Sequence, residues 1–146
     1  VVASHYDKRR STIYIYDELY ERGLTNDVLA AETKEIVDRR RVVFDSAEPK
    51  SIRELNQYGV NAAPAKKGPD SVMHGIQWLQ QQEIVIDKRC VNAQNEFRLY
   101  KWAEDRYGQP LRRPVDENNH IIDALRYAYE DDMVFRRAGA VVVKMR

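Results

Sequence analysis

Two short stretches hold the residues best suited to chemistry. Arg41-Val42-Val43-Phe44-Asp45-Ser46-Ala47-Glu48-Pro49 reads as a buried strand that ends in a carboxylate. Asn118-Asn119-His120-Ile121-Ile122-Asp123-Ala124-Leu125-Arg126-Tyr127-Ala128 reads as a helix with His120 and Asp123 three residues apart. At about 3.6 residues per turn, that spacing puts the imidazole and the carboxylate on one helical face. Oxygen and imidazole groups of this kind hold hard divalent cations, so the two stretches point to metal-assisted hydrolysis of a phosphodiester. Each also has a plain structural use. Asp45 and Glu48 suit a turn and a helix start ahead of Pro49. His120, Asp123 and Tyr127 form the polar face opposite an apolar arc of Ile121, Ile122, Leu125, Ala128 and Tyr129.

The elements that must position these residues alternate in type. Val1 to Tyr6 and Ser11 to Asp17, rich in β-branched and aromatic residues around a charged turn, predict an antiparallel hairpin. Thr25 serves as N-cap for a helix to about Arg40, with Leu29 and Ile36 inward. After the strand ending at Asp45, Pro49 opens a helix with Ile52, Leu55 and Tyr58 inward and Gly59 as its stop. Val60 to Ala63 is a further strand. A helix with Val72, Ile76 and Leu79 on one stripe follows, then a strand Glu83 to Asp87. Asn92 caps a helix with Ala93, Phe97 and Tyr100 inward, which Tyr107-Gly108-Gln109-Pro110 breaks. Arg112 to Asp116 is a loop or small hairpin, and a last helix runs from about Asn118 to Arg136. Hairpin first and βαβ units after imply an α/β fold, a mixed sheet with helices on both faces. Ligands collect at the carboxyl ends of strands in such sheets, where Asp45 falls.

The chain has 146 residues, the size of one domain, with 43% hydrophobic and 32% charged residues. We therefore expect residues 1–146 to be a single domain, and the Val1 start inside a strand predicts that it is cut from a longer polypeptide. No apolar run approaches the roughly 20 residues of a membrane span. The lone Cys90 cannot close an internal disulfide, which favours a reducing, cytoplasmic setting. Net charge is only +1, without the global basic field of many nucleic-acid binders. Positive charge is instead clustered at element ends, at Lys8-Arg9-Arg10, Arg39-Arg40-Arg41, Lys66-Lys67, Lys88-Arg89, Arg112-Arg113 and Arg136-Arg137.

Asp-Ser-Ala-Glu-Pro after an apolar strand, Lys-Lys-Gly-Pro-Asp-Ser before a helix and Asn-Asn-His-Ile-Ile-Asp-Ala-Leu-Arg-Tyr-Ala near the end resemble a known family. The Tyr14 to Tyr20 segment with Gly23-Leu24-Thr25 fits as well. The resemblance, which covers nearly the whole chain, is to the nuclease domain of the large terminase subunit of tailed bacteriophages. It implies a ribonuclease H-like fold and a Mg²⁺- or Mn²⁺-dependent endonuclease that cuts double-stranded viral DNA during packaging, in the cytoplasm of the infected host. It further implies an ATPase motor domain in the same polypeptide, and the small terminase subunit and portal as partners. By this resemblance Asp45 matches a metal-binding carboxylate, Asp123 the carboxylate on the last helix, and His120 an accessory ligand or proton-transfer group. Asp45, His120 and Asp123 are the expected catalytic and metal-binding residues of a two-metal site. A further Asp of the family sits on a first strand, expected upstream of Val1. Lys66 and Lys67, then Arg112 and Arg113, are the candidates for phosphate contacts. Two other readings stand beside this one: a non-catalytic fragment that docks DNA or a packaging partner, and a general ribonuclease H-like resolvase.

Overall fold

The computed structural model describes residues 1–68, 71–115 and 117–135, without the side chains of Arg112, Val134 and Phe135. Pro69 and Asp70 of the Lys-Lys-Gly-Pro-Asp-Ser motif, Arg136-Arg137 and the tail from 138 lie outside the described residues.

The hairpin forms as predicted. Strand β1 (Val2–Asp7) pairs antiparallel with β2 (Thr12–Glu18), and the register shifts between Ala3 and Ser4. That bulge skips Tyr16, and bulges of this kind re-aim a side chain. Helix α1 (Asn26–Val37) follows with Thr25 at the N-cap position, although the Thr25 side chain makes no capping hydrogen bond. Its buried stripe is Ala30, Thr33 and Val37, one residue along from the expected Leu29 and Ile36. Strand β3 (Val42–Phe44) is half-buried rather than buried. Helix α2 (Pro49–Gln57) starts at Pro49, buries Ile52 and Leu55 and leaves Tyr58 exposed. It stops at Gly59, whose φ of +86° few side chains tolerate.

Strand β4 (Ala62–Pro64) lies parallel to β3. Helix α3 (Ser71–Leu79) buries Gly75, Ile76, Trp78 and Leu79, whereas Val72, expected inward, is exposed. Strand β5 (Glu83–Ile86) is parallel to β2, so the first sheet has the order β1-β2-β5. Helix α4 (Val91–Leu99) ends well before Tyr107. The chain turns extended at Tyr100 and forms a second hairpin, β6 (Trp102–Glu104) with β7 (Pro110–Pro114), around Gly108 at φ +77°. The long last helix is two helices, α5 (His120–Ala128) and α6 (Glu130–Phe135), broken at Tyr129.

Two cores result. The larger joins Ile13 and Ile15 of β2 to Trp78, Leu79, Ala93, Ile121, Ile122, Leu125, Tyr129 and Met133. The smaller joins Ala30, Leu55 and Val60, with Val42 and Phe44 against them. Fully burying side chains of this size stabilises the fold by about 1.5–3 kcal/mol each. Helix α5 packs on both β1 and β3 and so ties the cores together. Between those strands, each paired with one neighbour among the described residues, lies a cavity of about 480 Å³.

Candidate active site

Asp45 follows the last residue of β3, at the strand's carboxyl end, and lines this cavity together with His120, Ala124, Tyr127 and Ala128 of α5. Helical spacing explains the second group, since residues 120, 124, 127 and 128 share a face. Ala128 therefore turns to the cavity side and is exposed, a correction to its place in the apolar arc, while Ile121, Ile122, Leu125 and Tyr129 are buried as expected. Asp123 is one turn from His120 and Tyr127, outside the cavity lining.

The Asp45 carboxylate is tied locally. Its Oδ1 accepts the Ala47 backbone N–H at 2.8 Å and the Lys67 ammonium at 2.6 Å. Lys67 holds the Asp45 carboxyl below the usual carboxylate range, the Ala47 N–H adds to this, and the Tyr127 hydroxyl contributes less. The Lys67 ammonium is pushed up in turn by Asp45, and lies 5.3 Å from the centre of the Tyr127 ring. Asp123 is held by another cation. Its Oδ1 accepts Arg126 Nη2 at 2.8 Å and Nε at 3.2 Å, a two-pronged contact. The stem of Arg126 lies against Gly75, where a Cβ would sit 2.7 Å from Arg126 Cδ.

The frame of the site comes from two carboxylates outside the expected ligand set. Glu18, at the end of β2, accepts the backbone N–H groups of Asn92 and Ala93 at 2.8 and 2.9 Å and so caps α4. Asn92 is thus capped by Glu18 and donates its own amide to that carboxylate. Glu96 on α4 then does the same for α5. Its buried Oε2 accepts Ile121 N–H at 2.7 Å and Ile122 N–H at 3.2 Å, and its Oε1 accepts the Tyr20 hydroxyl at 3.1 Å. Anionic oxygens match the partial positive charge of a helix N-terminus. The sequence signal for Glu96 was its place three residues after Ala93, on the inward stripe of α4. Tyr20 also brings its ring to 5.9 Å from the His120 ring, so both neighbours of the α5 start touch one tyrosine.

Of the expected phosphate-binding residues, Lys66 pairs with Asp131 at 2.5 Å and Lys67 with Asp45, and both are exposed. Arg113 is exposed on β7, and the Arg112 side chain lies outside the described residues. Asp45 supplies the anionic oxygen that a hard divalent cation needs, and His120 an imidazole on the same cavity, so the donor chemistry fits such an ion. Among the described residues no three His, Cys, Asp or Glu side chains gather into one cluster. Also among them, no helix is long and apolar enough to cross a membrane.

Residues 2–131 match the family model for the terminase RNAseH-like domain. The chain belongs to this family. It is 43% identical over 134 residues to the large terminase subunit of Bacillus phage SPP1, covering 88% of this chain and 32% of that protein. It is 32% identical over 134 residues to the large terminase subunit of Escherichia phage T5, covering 84% of this chain and 30% of that protein. The chain thus spans roughly a third of these relatives. The crystal structure of the SPP1 large terminase nuclease domain, solved with bound Mn, superposes with a TM-score of 0.81 at 41% identity, covering 90% of this chain and 77% of that one. The P22 large terminase nuclease domain shares the fold, with a TM-score of 0.69 at 20% identity, covering 92% of this chain and 73% of that one. The ribonuclease H-like α/β architecture expected from the motifs is therefore the fold of this terminase domain.

Proposed function

We propose that this terminase domain is a divalent-metal-dependent endonuclease that cleaves double-stranded viral DNA during genome packaging, in the host cytoplasm. The observation that carries the reading is the meeting of Asp45 and His120 on one cavity, in a domain that superposes on a nuclease domain solved with Mn. Asp45, Asp123 and His120 would hold the metal ions, Mg²⁺ or Mn²⁺. Such ions are held by one or two carboxylates together with water and substrate phosphates, so this donor set is of the right kind. Bound there, a pair of cations supplies charge stabilisation to the attacking and leaving oxygens of an in-line displacement.

The chain's own residues do the rest. Asp45 stays ionised through its hydrogen bonds, so its oxygens are available as anionic donors near neutral pH. His120, exposed at the first turn of α5, would orient a water or take its proton. Glu96 fixes the turn that carries His120. The exposed cations Lys66, Lys67 and Arg113, together with Arg112, would grip the phosphate backbone without reading sequence, and binding would weaken steeply with salt. The ATPase motor in the same polypeptide, the small subunit and the portal belong to this proposal as partners.

Plasmid nicking in Mn²⁺ tests the assignment. Asp45→Ala and Asp123→Ala are each expected to abolish cleavage, and full activity in Asp45→Ala overturns it.

A further inference from the structure

We infer that Lys67 is a tethered counter-ion that occupies the place of a divalent cation at Asp45, so that metal binding there requires the ammonium to leave. This rests on the proposed metal role of Asp45 and adds a competitor to it. The Lys67 ammonium contacts Oδ1 directly, at 2.6 Å, and a second cation drawn to that oxygen meets both a blocked lone pair and like-charge repulsion. The arrangement allows release. Lys67 is on the loop between β4 and α3, next to Gly68, where an added Cβ would meet nothing within 4 Å among the described residues. Both partners of the pair are exposed, 41% for the Lys67 side chain and 45% for Asp45, and exposed pairs are weak. The Tyr127 ring offers the ammonium a nearby second resting place.

Asp123 serves as the internal contrast. Its partner Arg126 is 5% exposed and wedged against Gly75, so the structure gives that guanidinium no such exit. Only one of the two carboxylates is guarded by a movable charge.

Calorimetric titration of the protein with Mn²⁺ alone, without DNA, tests the inference. Lys67→Met is expected to tighten Mn²⁺ binding about twofold, the equivalent of an exposed ion pair worth about 0.4 kcal/mol. Lys67→Arg, which keeps the positive charge, is expected to bind like the wild type, and Asp45→Asn is expected to erase the gain in the Lys67→Met background. Unchanged or weaker Mn²⁺ binding in Lys67→Met, with binding still lost in Asp45→Asn, overturns the competition while leaving the site assignment intact. Equal tightening in Lys67→Arg and Lys67→Met overturns it as well, because charge would not be the cause. Wild-type binding in Asp45→Asn removes the site assignment itself, and the competition with it.

Discussion

Asp45 and Asp123 are both acids beside the same helix, yet their counter-ions differ in every physical respect. Lys67 reaches Asp45 from a loop 22 residues along the chain and is exposed. Arg126 is three residues from Asp123 on α5, buried, donating twice to one carboxylate oxygen and packed against α3 at Gly75. The first is a loose surface pair in high dielectric, worth about 0–1 kcal/mol. The second is part of the packing between α3 and α5, where losing one partner strands the other. Two carboxylates of similar appearance therefore play opposite mechanical parts: Asp123 is built into the scaffold, and Asp45 sits at its movable edge.

The largest expected effect strikes the built-in pair. Arg126→Met should destabilise the domain by about 3 kcal/mol, because a guanidinium that is both buried and bonded to Asp123 is lost. Urea denaturation measures it. A loss below about 0.5 kcal/mol, the level of a surface pair, would erase the contrast with Lys67.

Glu96 comes next, because it sets the direction of the helix that bears both His120 and Asp123. Glu96→Ala leaves two buried N–H groups of α5 without acceptors and should cost about 2 kcal/mol. Glu96→Gln keeps an acceptor for Ile121 and Ile122 and turns its amide toward the Tyr20 hydroxyl, which accepts as well as donates. About half of the Ala cost is expected, reflecting the lost charge at the helix N-terminus. Equal losses in the two variants would show that charge, not the acceptor, is what α5 needs.

Gly75→Ala follows. Its new methyl meets Arg126 Cδ at 2.7 Å. Overpacking of about 2 kcal/mol is opposed by about 1 kcal/mol of helix propensity, for a net loss of about 1 kcal/mol. In the Arg126→Ala background the same substitution should become stabilising, since the colliding stem is gone, and a double-mutant cycle reads the change of sign.

These pairs also mark what was legible in the sequence. Period-two strands and the Pro49 start and Gly59 stop of α2 are local signals and were read correctly, whereas of the His120 and Asp123 pair only His120 lines the cavity. Offsets of one residue were not. A stripe at Leu29 and Ile36 and one at Ala30, Thr33 and Val37 fit the same period, and only tertiary packing on the smaller core chooses between them. The break at Tyr129 has no Pro or Gly to announce it. There the Tyr129 ring is held among Tyr6 and Trp78 and its hydroxyl meets Ser4 at 2.7 Å, contacts made between segments far apart in the chain. At the site, Asp123–Arg126 lies within one helical turn and was open to reading, whereas Asp45–Lys67, Glu18–Asn92 and Glu96–Ile121 depend on topology. Carboxylates that cap distant helices look like ordinary surface acids until the helices are placed.

The smallest expected effect belongs to Lys67. Lys67→Met should change stability at pH 7 by less than about 0.5 kcal/mol, because the pair it breaks is exposed. Its signature lies in the pH dependence. The Asp45 carboxyl is held below its ordinary value of 3.8 mainly by Lys67. A carboxyl depressed in the folded state stabilises the fold above the unfolded value and loses that contribution as pH falls through the folded one. The wild type should therefore lose slightly more stability than Lys67→Met on acidification from about pH 5 to below the folded value, so that the two melting curves converge in acid. Parallel curves down to pH 2 would mean that Lys67 does not hold Asp45 in solution, and the distinction between a movable and a built-in counter-ion would rest on Arg126 alone.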